Sequence, residues 1–160
     1  MMRRLAGLWG ALILACAPLA ALDASELLPA ADLARDARQA NQAGGPLIVL
    51  YSRDDCKFCK AVKRDFLQPL TDNPRYRDRI VVREVRQDGD NQALVDFKGQ
   101  ATTHARLAAA EKVKLVPVVA FYGPDGRKLA DPIVGARLPD FYQSYLEDAI
   151  EQSSRNLKKP

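Results

Sequence analysis

Cys56 and Cys59 stand two residues apart, with Lys57 and Phe58 between them. Four chemistries use two thiols at this spacing. A structural zinc site needs four ligands, and with Cys16 assigned to the N-terminal leader and His104 as the sole histidine the Cys and His supply stops at three. A purely structural disulfide here closes a loop too short to restrain the unfolded chain much. Covalent c-type haem calls for His directly after the second Cys, where this chain has Lys60. A redox-active dithiol, cycling between two thiols and a disulfide, meets none of these objections. The context of the pair favours it. No metal or cofactor is expected. No G-x-G-x-x-G fingerprint is present, so the chain has no means of drawing electrons from NADPH itself.

The elements around the pair assign its roles. Leu47–Tyr51 is a continuous apolar run and reads as a buried central strand. Ser52 to Asp55 supplies turn and cap chemistry. From Cys56 the pattern turns helical, with Cys59, Val62, Phe66 and Leu70 on one face, and Pro69 is expected to kink or end that helix. Residues i and i+3 of a first helical turn lie close enough for a disulfide. Cys56 is expected to be the exposed attacking thiol, and Cys59, packed one turn in, the resolving thiol. Unpaired helix N–H groups and Lys57 favour the Cys56 thiolate, whereas Asp54 and Asp55 oppose it. These effects roughly cancel, which predicts a thiol pKa nearer about 7 than about 3.5. Phe58 reads either as a contact surface or as helix-edge packing.

The remaining chain divides simply. Met1–Arg4 is a positive head and Leu5–Ala15 an apolar stretch, shorter than the roughly 20 residues a spanning helix needs. Small residues follow at Ala17, Ala20, Ala21 and Ala24. Residues 1–24 therefore read as a secretory signal, with cleavage after Ala21 or Ala24. Ile13 to Cys16 also resembles a lipobox, which would leave a lipid on Cys16. Residues 25–151 form one domain and 152–160 a polar tail. The chain has 24 basic and 20 acidic residues. Without Arg3 and Arg4 the balance is 22 to 20, too even for the basic patch of a nucleic-acid protein.

Within the domain, a helix is expected from Asp32 to Ala43 and a strand at Ile80–Val85. Residues 86–101 read as a polar insertion with a short helix, and a helix capped by Thr102 or Thr103 carries an exposed His104. Leu115–Tyr122 reads as a strand interrupted by Pro117, followed by a turn at Gly123–Gly126 and a short strand at Lys128–Ala130. A last helix starts near Pro139, with Leu138, Phe141, Tyr145 and Ala149 on one face. This order gives an α/β fold with a central mixed sheet flanked by helices.

Taken together, Leu47–Tyr51, Cys56-Lys57-Phe58-Cys59-Lys60, Val113–Phe121, Gly123–Lys128 and Gly135 resemble the thioredoxin superfamily. The likeness is greatest to its periplasmic members of the SoxW type. The resemblance implies a thioredoxin-like fold. It also implies that Pro117 is cis against the cysteine pair, and that the Val116 backbone pairs with a substrate peptide. The departures are specific: Leu50 replaces the buried Asp of ordinary thioredoxin, Asp55 its Trp, and Lys57-Phe58 its Gly-Pro. The resemblance therefore implies a monomeric extracytoplasmic oxidoreductase that reduces a disulfide of a specific periplasmic protein. A membrane thiol-electron carrier would recharge it. The alternatives are a disulfide oxidase or isomerase, and a non-catalytic binding module.

Overall fold

The computed structural model describes residues 27–136 and 139–158. The leader with Cys16, and Leu138, lie outside these. β1 (Leu47–Ser52) is buried along its whole length. It pairs in parallel with β2 (Val81–Arg86) and antiparallel with β5 (Val118–Tyr122), which pairs antiparallel with β6 (Ile133–Val134). The sheet order is β2-β1-β5-β6. Upstream, Leu28–Ala30 lie along the outer side of β2: the Glu84 N–H donates to the Leu28 carbonyl and the Ala30 N–H to the Glu84 carbonyl. Pro29 and Glu84 form a parallel bridge there.

Each face of the sheet carries its own apolar core. Leu47, Val49, Tyr51, Ala120 and Tyr122 pack under α1 (Leu33–Gln42) and α4 (His104–Ala110) through Leu33, Ala37, Ala40, Leu107 and Ala108. On the other face, Ile48, Leu50, Val119 and Phe121 meet Val62, Leu67, Leu70, Leu146 and Ile150. The period-2 alternation of an extended strand creates this division. Asp32 caps α1 by accepting the Arg35 N–H (2.8 Å), as an extended acidic N-cap should.

Pro69 does not end the helix that follows the cysteines. α2 (Lys57–Val62) widens into a π-helical turn at Lys63–Leu67 and continues as α3 (Gln68–Asp72). The Gln68 N–H reaches back five residues to the Lys63 carbonyl. The wider turn makes room for a proline that lacks the donor and crowds the carbonyl four residues back.

The insertion contains no helix. It forms a separate antiparallel hairpin, β3 (Ala93–Val95) with β4 (Ala101–Thr103). Its turn is built by Asp96, whose carboxylate accepts the N–H groups of Lys98 and Gln100 (2.8 Å each), and by Gly99 at φ +78°. The expected strand at Lys128–Ala130 reduces to one bridge between Tyr122 and Lys128, and the edge strand is β6 instead. The final helix, α5 (Pro139–Leu157), extends into the expected polar tail. Its inward face is Tyr142, Leu146, Ala149, Ile150 and Ser153, while Phe141 and Tyr145 are exposed. The apolar stripe thus runs one residue later than the sequence suggested.

Candidate redox site

β1 ends at Ser52, and the chain turns through residues 53–55 to deliver Cys56 at the N-cap of α2. Cys56 and Cys59 form a disulfide, with Cα atoms 5.3 Å apart. The Cys56 sulfur also accepts the Cys59 N–H at 3.1 Å. It therefore occupies the place of an N-cap oxygen and takes up one of the helix's unpaired donors. Cys59 is 1 % exposed, whereas Cys56 is partly exposed. The pair is thus asymmetric: Cys56 is partly exposed and Cys59 is buried.

Val116–Pro117 is a cis peptide. Val116 and Pro117 line a cleft of about 270 Å³ together with Phe58, Gly135 and Ala136. The Gly135 N–H donates to the Pro117 carbonyl (2.8 Å), which fixes the far wall against the near one. Phe58, one of the residues lining this cleft, is 56 % exposed, with Lys57 Nζ 5.3 Å from the ring centre. So the dipeptide between the cysteines and the segment around Pro117 share one apolar surface. Gly135 and Ala136 were not expected to contribute to it; their only signal in sequence was Gly135 before the last helix.

The electrostatics depart from the sequence arithmetic. Both aspartates that precede Cys56 are paired with arginines: Asp54 with Arg86, and Asp55 with Arg53 at 3.1 Å. Neither is a bare anion beside the sulfur. Asp88 accepts the Asp54 N–H at 3.1 Å and pairs with Arg86 at 3.3 Å. Burial pushes the Asp88 carboxyl up, but the Asp54 N–H and the Arg86 guanidinium bring it below the ordinary value. The Asp88 hydrogen bond, more than that to Asp54, holds the Arg86 guanidinium above its own ordinary value.

Two further polar groups escaped sequence reading. Glu84, paired across β1 with Leu50, accepts the Ser52 hydroxyl (2.7 Å) and meets Lys63 Nζ at 2.6 Å, one helical turn beyond Cys59. Both members of that ion pair are largely buried. His104 is also buried. It accepts the Arg86 N–H on Nδ1 (3.1 Å), and with Nε2 protonated it donates to the Ala30 carbonyl (2.8 Å). On the α4 face of the sheet, the Tyr51 hydroxyl lies 2.8 Å from that of Tyr122, which donates to Glu111 at 2.9 Å. Among the described residues, no group of three or more His, Cys, Asp or Glu side chains is placed to hold a metal ion. Nor is any described helix long and apolar enough to cross a membrane.

The geometry agrees with comparisons to known proteins. A search of curated protein sequences found no match. Among solved structures, a thioredoxin-fold protein from Helicobacter pylori superposes with a TM-score of 0.53 at 14% identity, over 84% of this chain and 78% of that one. Trxlp from Edwardsiella tarda gives 0.53 at 24% identity, over 75% and 97%. Thioredoxin O2 from Arabidopsis thaliana gives 0.51 at 17%, over 78% and 94%. These identities establish a shared fold. The sequence model of the thioredoxin-like domain family matches residues 33–150, from the first residue of α1 to deep within α5. With most of its length covered by that match, the chain belongs to the thioredoxin-like domain family.

Proposed function

We propose that this protein is a periplasmic thiol–disulfide oxidoreductase that reduces a disulfide of a specific protein partner. The observation that carries the reading is the asymmetry of the pair: a partly exposed Cys56, two residues before the Phe58 that lines an apolar cleft, and a Cys59 that is 1 % exposed. In the reduced protein, the Cys56 thiolate attacks one sulfur of the substrate disulfide. The other substrate sulfur leaves as a thiolate and takes up a proton. Cys59 then loses its proton and attacks the Cys56 sulfur, releasing the second substrate thiolate. Two electrons pass to the substrate, and the Cys56–Cys59 disulfide remains. The substrate strand lies in the cleft between Phe58 and Ala136, with the Val116 backbone as its pairing edge. A membrane thiol carrier restores the dithiol. Residues 1–24 direct the domain out of the cytoplasm, with lipidation at Cys16 as the second form of that address.

Oxidation is the competing direction, and one observation favours it: the pairing of Asp54 and Asp55 removes much of the repulsion against a thiolate at Cys56. Against it, no His lies between the cysteines. Equilibration of the pair with glutathione of known poise separates the two. A potential near about −270 mV supports the reductant, and one near about −120 mV the oxidase. If Cys56→Ser and Cys59→Ser leave the cellular phenotype unchanged, the chain acts as a binding module instead. A Cys59→Ala variant, unable to resolve the mixed disulfide, identifies the partner by trapping it. The candidates that the SoxW resemblance suggests are sulfur-oxidation carriers, apocytochrome cysteines and a disulfide isomerase.

A further inference from the structure

The loop that delivers Cys56 is held from the end of β2. The Gln87 N–H donates to the Ser52 carbonyl at 2.8 Å, the Asp54 N–H donates to Asp88 Oδ2 at 3.1 Å, and the Arg86 guanidinium pairs with the Asp54 carboxylate. Arg86 also binds the second Asp88 oxygen, Nε to Oδ1 at 3.3 Å. The three side chains close a ring: Asp88 grips the backbone of Asp54, Arg86 grips its carboxylate, and Arg86 and Asp88 grip each other. The backbone of Arg86 is fixed in turn by its N–H bond to His104 Nδ1. The chain packs closely just beyond: a Cβ added at Gly89 would lie 2.9 Å from His104 Cβ and 3.0 Å from the Arg86 carbonyl oxygen.

We propose that Arg86 and Asp88 are positioning residues for Cys56, holding the loop that presents it and cancelling the negative charge two residues before it. The inference rests on the reading of Cys56 as the attacking thiol. Thiolate, not thiol, is the nucleophile, so any unpaired carboxylate nearby lowers the reactive fraction. Of the two arginine pairs in this loop, Arg53–Asp55 is exposed on both sides (48 % and 73 %) and is worth little in water. Arg86 is only 26 % exposed and is held by two carboxylates, the half-buried Asp88 and the exposed Asp54 (72 %), so it is the Asp88 side of the ring that fixes its charge in place before any substrate arrives. Asp88 acts through Asp54, by fixing where the loop backbone runs.

The test compares Cys56 thiolate titration, redox potential and thermal unfolding in the full chain and in Arg86→Gln, Asp54→Asn, Arg86→Gln/Asp54→Asn, Asp88→Asn and Asp88→Ala variants. Arg86→Gln leaves Asp54 unpaired and should raise the Cys56 pKa by about half a unit to one unit, with a more negative potential. The double variant should return close to the wild-type pKa, because the anion is gone together with its partner. Asp88→Asn keeps an acceptor for the Asp54 N–H and should react with a protein disulfide faster than Asp88→Ala does. If Arg86→Gln lowers the melting temperature while the pKa and potential stay at wild-type values, or if Asp54→Asn fails to restore them, the role is structural only and the proposal is overturned. The thiolate titration, the potential and the melting temperature need no protein substrate, and the Asp88 pair is read equally by the rate of iodoacetamide modification of Cys56. A wild-type protein that titrates normally but reduces no disulfide would therefore sink the functional reading and leave this one standing.

Discussion

The imidazole of His104 reaches the Ala30 carbonyl, 2.8 Å away across 74 residues of sequence. Its other nitrogen accepts the Arg86 N–H, so both ring atoms are used only when the ring is neutral. Burial pulls the pKa of this ring down. The Ala30 carbonyl and Glu84 push the other way, Arg86 pulls down with burial, and the net result lies below the ordinary value. The folded protein therefore binds this proton less readily than the unfolded chain. Stability from this group is fully present above the unfolded value of about 6.5 and is lost as pH falls through the folded value. Melting temperatures measured from pH 7.5 down to about 5 should decline, and a His104→Gln variant should show a shallower slope. Equal slopes in the two proteins would refute the assignment.

The burial difference at the disulfide leads to a labelling order. In the reduced protein near neutral pH, iodoacetamide should modify Cys56 well before Cys59, as read by peptide mass spectrometry. Faster modification of Cys59 would reverse the roles given to the two thiols.

Tyr122 sits between the buried Tyr51 and the partly exposed Glu111, taking one bond from the first and giving one to the second. Tyr122→Phe strands the buried Tyr51 hydroxyl, at a cost of about 1–3 kcal/mol. Urea unfolding with an unchanged m-value should show this loss. The thiols of Cys56 and Cys59 should titrate as before.

Phe58 is exposed at the cleft and contributes little to the core. Phe58→Ser should leave stability within about 0.5 kcal/mol of wild type. It should lower kcat/KM for a protein disulfide by about ten-fold, because apolar contact of roughly one aromatic side chain is lost. Reaction with a small-molecule disulfide should change much less, and an equal loss for both substrates would place Phe58 in the chemistry rather than in docking.

How much of this was legible in the sequence depended on how local each signal was. β1 announces itself by an unbroken apolar run, and the cysteines by spacing and the turn before them. Pro117 could be flagged because a proline inside a strand pattern is conspicuous. The hairpin at residues 93–103 could not, since each strand is three residues long and Leu94 is its only buried side chain. His104 looks like a polar residue in a first helical turn, and only the Leu28–Ala30 segment lying against it makes it a buried one. The partners of Asp54 and Asp55 were invisible for a similar reason. Arg86 and Asp88 arrive from another strand, and a charge tally along the chain counts the anions near Cys56 without the cation that folding brings to them. In α5 the helix was plain, but two exposed aromatics on its outer side drew the apolar stripe one residue early.

The strap along β2 also decides which way the molecule points. Leu28–Ala30 run parallel to β2, and β2 runs parallel to β1, whose final residue leads to the disulfide. Leu27 therefore enters along β2 from the end of the sheet where β1 begins, and Cys56, Phe58 and Pro117 stand at the other end, where β1 finishes and β5 starts, so the domain's first described residues and its disulfide occupy opposite ends of the same sheet.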